Sequence, residues 1–550
     1  MKFTMKPFLY IILSILFFQS CTQSNSKEIY NGLVISQEQR ASWIKNFNPL
    51  TPGGAARWPT AAGIYEPLMI YNSMEAKYIP WLATNHTWNK NNDILRLVVR
   101  KDVSWSDGIL FSAKDVLFTF NLLREFPALD GRGLWTYLSD IKLINDYELE
   151  FIFSSIYVPG LDAIVGQTIV PKHIWADIDD PIKYTNPNPV GTGPFTQIVK
   201  FTKQVWELGK NPNYWQKGKP KVEKLIFPAF PTNVQATYAL INGEVDWAGN
   251  FIPAIDRIFV DRDPQNHHYW FPRAGGSIFL YPNNTKNHLS NKNFRKALSY
   301  AIDRELIAKV AMYGYTVPAD ITALSEGMSK WRENKTRNNN WTKFDKKKSI
   351  SLLNDLEYSL SNEKLFDKNN DEIVFEIIVV SGWSDWIRAA QIISRNLEDI
   401  GINASVRTYD FGAWFSKLQT GDFDLAIAWA EKGNTPYNLY KGLMSEKSVK
   451  PIGEISVLNW HRYGNSEIDL LSEKYEKTSD TNMIEKIIFD MQNIFIENIP
   501  AIPLFSEPSW GEYNTTRYTN FPNEQNPYAQ LSPNNVPENL LVLIELEPVK

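Results

Sequence analysis

The sequence predicts an α/β fold of several layers, and three observations carry that expectation. Short runs rich in branched and aromatic residues, each bounded by polar breaks, read as strands at residues 95–99, 149–153, 374–380 and 425–429. Apolar stripes at three-to-four-residue spacing lie between such runs and read as helices. Between Ala389 and Ile400 one such stripe is followed by Gly401 and a strand-like run at 404–408, and strand, helix, strand is the order of α/β layers. At 550 residues the chain is long enough for about three to four structural units.

The first element is a targeting segment at residues 1–20. Lys2 and Lys6 precede an apolar run at 8–18, and Ser20 stands before Cys21, the one cysteine of the chain. A membrane span needs about 20 apolar residues, so this shorter run with charged and small-residue flanks reads as an export signal. The string Phe18-Gln19-Ser20-Cys21 resembles a bacterial lipobox, which implies cleavage before Cys21, acylation of that residue and a polar tether at 21–27. The alternative is a secreted protein with an incidental cysteine. If Cys21 is acylated, no thiol remains for disulfides, metal ligation or nucleophilic chemistry.

Further along, a helix is expected from near Ser290, with Phe294, Leu298, Ala301, Ile302 and Val310 on one face and Gly314 at its end. A second carries Ile484, Ile487, Ile488, Met491 and Phe495 and stops before Pro500, whose ring removes a backbone donor. No repeat of 20 to 50 residues is visible, and Asn338–Asn340 and Lys346–Lys348 mark exposed loop or helix-edge character.

From Trp105 to Phe120 the chain reads Trp-Ser-Asp-Gly-Ile-Leu-Phe-Ser-Ala-Lys-Asp-Val-Leu-Phe-Thr-Phe. There follow, in order, Asn188-Pro-Val-Gly-Thr-Gly-Pro-Phe195, Asn211-Pro-Asn-Tyr-Trp215, Asn242-Gly-Glu-Val-Asp246, Arg295-Lys-Ala-Leu-Ser-Tyr-Ala-Ile-Asp-Arg304 and Gly421-Asp-Phe-Asp-Leu425. This ordered set resembles the bacterial extracellular solute-binding proteins of family 5, the oligopeptide- and dipeptide-binding proteins and their relatives. The resemblance implies the two-lobed periplasmic-binding-protein fold of the large, three-region type, with a two-strand hinge and a ligand cleft between lobes. It places lobe I at 28–65, 189–282 and 500–550, an additional region at 66–188, and lobe II at 283–499. The crossings fall near 278–282 and 501–505. Four segments look closer to the members that bind cello-oligosaccharides: Phe47-Asn-Pro-Leu50 with Trp58-Pro59, Tyr78-Ile-Pro-Trp81, Thr435-Pro-Tyr437 and Tyr513-Asn-Thr-Thr-Arg517.

Composition and motifs remove other classes. With 57 basic against 61 acidic residues there is no surplus for a phosphate backbone, so no nucleic-acid partner is expected. Gly-x-Ser-x-Gly, His-Glu-x-x-His and the phosphate-loop pattern are all missing, and Gly191 and Gly193 lack the third glycine of a dinucleotide loop. Neighbours on a strand point to opposite faces, so His267 and His268 are not a metal pair. No catalytic residue, metal or cofactor is assigned.

Candidate ligand contacts come from an unusual load of 19 tryptophans. Trp383 and Trp386 flank Asp385 at an expected helix start, where α/β clefts place ligand contacts. Trp429 ends a strand and is followed by Glu431, Lys432 and Asn434. Arg57 and Trp58 lie beside Gly53-Gly54, Trp247 follows a turn, and Trp510 follows the second crossing. Each tryptophan taken alone is more often core packing; together they suit pyranose faces. In peptide-binding relatives the loop after a similar tryptophan carries an aspartate for the peptide ammonium. The corresponding position here is Lys432, a like charge, although Glu431 is one residue away.

The ligand is therefore an oligopeptide, favoured by the family, or an oligosaccharide, favoured by Lys432 and the aromatic load. The partners implied are an ABC permease with its ATPase, and a membrane reached through the lipid anchor at the periplasmic face of the cell envelope. The chain itself is expected to be monomeric. A surface-tethered glycan-binding or sensory lipoprotein and a lipid-anchored hydrolase are the alternatives.

Overall fold

The computed structural model describes residues 31–37, 39–50, 63–272, 276–333 and 340–549. The leader, Cys21 and the pair Arg57 and Trp58 lie outside the described residues. Two hydrophobic cores organise the rest. One joins lobe I to the additional region, and the other belongs to lobe II.

Lobe I is built on a seven-stranded mixed sheet in the order His267–Tyr269, Glu512–Asn514, Trp247–Ala248, Leu33–Ser36, Lys224–Pro228, Val205–Lys210 and Phe195–Phe201. Leu33–Ser36 runs parallel to both its neighbours and is wholly buried, as a strand covered on both faces must be. The resemblance blocks supply its joints. Asp246 accepts from the Val34 amide (2.8 Å) and from Arg517 Nε (2.8 Å), tying three distant stretches of chain together. A Cβ at Gly191 or Gly193 would come within 2.0 Å of the carbonyls of Ile64 or Gly63, so only glycine permits that approach.

The additional region is a four-stranded antiparallel sheet, Ala83–Trp88, Ile94–Val99, Glu148–Phe153 and Leu138–Asn145. Ile94–Val99 and Glu148–Phe153 bury alternate residues, the signature of one face on a core. Against it packs the helix Ala113–Glu125, whose start is fixed by a reciprocal cap between Ser112 and Asp115.

Lobe II holds a five-stranded sheet in the order Asn403–Tyr409, Val374–Val380, Leu425–Trp429, Ser277–Pro282 and Ile502–Ser506. The stripe at 389–400 is the helix Ser384–Glu398, and Gly401 (φ +85°) turns it into the next strand. Residues 278–282 and 501–505, expected to be the crossings, are instead strands of this sheet, paired antiparallel with each other and buried. The run Ile278-Phe-Leu-Tyr281 is apolar at every position, which suits a covered strand rather than a solvated strap. The crossings lie just outside it, where the Glu507 amide donates to the Gly276 carbonyl (2.8 Å).

The helix expected from Ser290 to Gly314 is broken. It spans Lys292–Ala301, stops at Ile302 in an extended conformation, and restarts behind Asp303, whose side chain accepts from the Leu306 amide. Val310 is consequently exposed. Two buried arginines hold this corner. Arg295 donates to the carbonyls of Leu289, Ser290, Asn498 and Ile499 at 2.7–2.8 Å. Arg304 donates to Pro503 (2.7 Å), Ser299 (3.0 Å) and Thr342 (2.9 Å). Burial lowers both guanidinium pKa values, to about 10 and about 9, because it takes the charges out of water; Tyr463 and Asp303 oppose the shift at Arg295 and Arg304 respectively.

Candidate functional site

Between the lobes lies a cavity of about 750 Å³. The C-terminal ends of the parallel strands Val374–Val380, Asn403–Tyr409 and Leu425–Trp429 open onto it, as the topology of an α/β sheet favours.

Lobe II gives it an aromatic wall. Trp383 caps the helix Ser384–Glu398 and meets Trp386 edge-on at 4.9 Å. Phe411 and Phe415 stand one turn apart on the helix Phe411–Thr420, nearly parallel to Trp429 (9° and 19°), so the three rings share one orientation. Trp460 stands edge-on to Trp429 at 5.9 Å, and the fully buried Trp414 backs the same ring at 5.4 Å. From lobe I come Tyr65, Phe251 and Trp510, with the carboxamides of Gln39, Asn250 and Asn534.

Charged groups are few and mostly answered within the protein. Lys432 Nζ lies 2.6 Å from Glu507. Burial raises Asp385 to about 6, offset in part by the amides of Trp386 and Asp385 itself. Glu431 lines the cavity near Arg132 of the additional region; burial raises its carboxyl, and Arg132 opposes that shift.

Six of the sequence-derived residues, Trp383, Trp386, Trp429, Glu431, Lys432 and Trp510, line this cavity. Trp247 does not. It sits in a strand beside the central Leu33–Ser36, wholly buried, with its indole N–H donating to the Leu531 carbonyl (2.6 Å). Asn434 also turns away, donating to Tyr78 Oη (2.9 Å) and Asp162 (3.3 Å) in the additional region. Phe411, Phe415 and Trp460 were missed by the sequence reading. The spacing of the two phenylalanines behind the helix-capping Asp410 was a usable signal, of the same kind that marked Trp383.

The Asn434 contact belongs to a clasp between the additional region and lobe II, beside the cavity. Glu476 receives Tyr137 Oη (3.3 Å), Tyr437 Oη (2.5 Å) and Lys441 Nζ (2.8 Å), and its carbonyl accepts from the Val158 amide (2.7 Å). Opposite, Tyr315 Oη accepts from the Ile255 amide (2.7 Å), and the Asn233 amide donates to the Gly382 carbonyl (3.2 Å). Lobe contacts thus flank the cavity on both sides, the arrangement of a closed clamshell. Among the described residues no group of three or more His, Cys, Asp or Glu side chains is placed to hold a metal, and no helix is long and apolar enough to cross a membrane.

Comparison with known proteins agrees with this architecture. The family model "Bacterial extracellular solute-binding proteins, family 5 Middle" matches residues 77–450. The chain is 22% identical to the dipeptide-binding protein of Escherichia coli over 488 residues, covering 83% of this chain and 86% of the relative. It is 22% identical to the nickel-binding periplasmic protein of the same organism over 416 residues, 70% and 74% of the two chains. Among solved structures, the mannohexaose-bound periplasmic oligopeptide-binding protein of an oligopeptide ABC transporter from Thermotoga maritima superimposes with a TM-score of 0.87 at 26% identity, covering 95% of this chain and 99% of that one.

Proposed function

The chain belongs to family 5 of the bacterial extracellular solute-binding proteins, and on that premise we propose that it captures an oligosaccharide between its lobes and delivers it to an ABC importer. Proteins of this family bind solutes and are not enzymes, so recognition, closure and release are the whole of its chemistry. The aromatic wall of Trp383, Trp429, Trp460, Phe411 and Phe415 carries this reading. Pyranose rings present flat C–H faces that stack on such rings, and carboxamides such as Gln39, Asn250 and Asn534 match their hydroxyls without a net charge. The mannohexaose bound by the Thermotoga maritima protein supports the same ligand class.

A ligand that touches both lobes stabilises the closed form by its differential affinity, and a permease that docks the closed form then supplies ATP hydrolysis. Acylation at Cys21 would hold the protein at the membrane as a monomer, with Arg57 and Trp58 as further contacts in the segment that precedes Gly63.

One observation favours an oligopeptide instead: Glu431 is a cleft carboxylate, one residue from the position where peptide-binding relatives carry an acid. A calorimetric panel of cello- and manno-oligosaccharides against peptides of two to six residues tests the two. Sugar binding, weakened in Trp429→Ala, supports the proposal; binding by peptides alone overturns the ligand class and leaves the family intact.

A further inference from the structure

Lobe I carries a second cavity, of about 530 Å³, and none of its lining residues lines the inter-lobe cleft. It sits on the edge of the seven-stranded sheet, where His267–Tyr269 pairs with Glu512–Asn514. Successive residues of an extended chain point to opposite faces, so His268 and Trp270 share one side, and His268 stands directly across from Tyr513. The His268 ring lies 5.3 Å from Tyr513 at 35°, and Tyr513 lies 4.7 Å from Phe521 at 29°. Tyr513 and Phe521 are core side chains, 6% and 3% exposed, that back the half-buried His268, and the half-buried Trp270 stands at the margin with no ring of another described residue stacked on it.

The rim is the turn at 520–526. Asn523 Oδ1 accepts from the amides of Gln525 (3.0 Å) and Asn526 (3.0 Å), which closes the turn locally. Asn520 Nδ2 anchors its near end on the Glu545 carbonyl (2.8 Å). That local closure leaves the carboxamides of Gln525 and Asn526 exposed at the mouth of the cavity. No Lys or Arg lines it, and Glu524 is its one carboxylate.

We propose that this cavity is a second binding site, for one or two rings of a neutral saccharide, separate from the transport cleft. The lining sets the preference. An anionic ligand, including phosphorylated or sulfated glycans, would face Glu524 with no Lys or Arg in the lining to answer it, which is disfavoured. A purely aliphatic ligand would leave the carboxamides unmatched. A pyranose offers one face to the rings of His268 and Trp270 and its hydroxyls to the amides. The inference does not rest on the ligand assigned to the cleft.

The test is calorimetry of the full chain with cellohexaose, with hexapeptide and sulfate as controls, on the natural protein and on Trp270→Ala, Gln525→Ala and Trp429→Ala. The expected result is a second, weaker event that Trp270→Ala weakens at least tenfold and Gln525→Ala by twofold or more, while Trp429→Ala leaves it unchanged. Gln525 is exposed, so its variant reports even if Trp270→Ala fails to fold. A sugar event sensitive to Trp270 but with none sensitive to Trp429 sinks the cleft reading and keeps this one. No second event at millimolar cellohexaose, or one that Trp270→Ala and Gln525→Ala both leave intact, overturns it. So does binding here by the hexapeptide or sulfate in place of the sugar.

Discussion

Lys432 and Glu507 meet at 2.6 Å across the edge of the cleft, the first from the loop that follows Trp429, the second from the segment by which the chain returns to lobe I. The pair answers the charge of the lysine that the sequence reading singled out. Lys432 is 54% exposed, so the pair itself is worth only about 0–1 kcal/mol. Lys432→Ala should therefore change oligosaccharide affinity by less than about threefold. By freeing Glu507 it should strengthen binding of amine-bearing peptides, and paired titrations of the variant with both ligand classes check this.

Trp429 is the centre of the aromatic wall, touched by Phe411, Phe415, Trp386 and Trp460. Removing a central aromatic anchor costs about 2 kcal/mol or more, which is roughly thirtyfold in Kd. Trp429→Ala should show that loss for oligosaccharides, whereas Trp247→Ala, remote from the cleft, should lower Tm with little change in Kd.

The clasp at Glu476 touches no ligand-facing surface, so its loss acts on the open–closed equilibrium. Tyr137→Phe deletes two hydrogen bonds, the donation to Glu476 (3.3 Å) and the acceptance from Lys441 Nζ (3.2 Å), together worth about 1–3 kcal/mol. Because apparent Kd scales inversely with the closed fraction available, every ligand should weaken by one common factor, roughly five- to hundredfold. Solution scattering of the ligand-free variant should show a larger radius of gyration than the natural protein. Unequal losses among ligands would place Tyr137 in recognition instead.

Arg304 satisfies carbonyls from four separate points around the broken helix. Arg304→Met leaves them unpaired in a dry corner, and the expected cost is about 3 kcal/mol or more of unfolding free energy. Denaturant titration reads it directly.

Glu66 is fully buried, receiving Trp81 Nε1 (2.7 Å), Tyr214 Oη (3.0 Å) and Trp215 Nε1 (3.2 Å). Burial nonetheless raises its carboxyl from 4.5 to about 7. The folded state therefore holds this proton more tightly than the unfolded chain does. Its contribution is fully present below pH about 4.5 and is lost as pH rises through about 7, by ~3 kcal/mol at most. Relative to Glu66→Gln, the natural protein should lose stability between pH 5 and 8; a difference independent of pH would show that Glu66 titrates normally.

Much of the fold was legible in the sequence because it depends on local pattern. The strands Val374–Val380 and Leu425–Trp429 and the helix ahead of Gly401 stand where period and glycine placement predict them. The helix after Ser290 was misjudged because its break depends on Asp303 as a cap and on Arg304 reaching carbonyls as far away as Thr342 and Pro503, contacts that no window of periodicity contains. The crossings were misplaced for a related reason: an extended apolar run reads alike whether it spans solvent or joins a sheet. Tyr78, Thr435 and Tyr437, drawn from the segments that resemble cello-oligosaccharide binders, proved to sit at the lobe junction.

By itself the sequence determined the periodic elements, the family blocks and a surplus of large flat side chains, because each is written in neighbouring residues. Only the tertiary structure decided which of those side chains faces the cleft. Trp247 and Trp429 look alike in sequence, yet one is sealed within a sheet assembled from distant parts of the chain, while the other ends a strand at the gap between two lobes. That difference is set by which distant surfaces come together, and burial is a property of the assembled fold rather than of the residue.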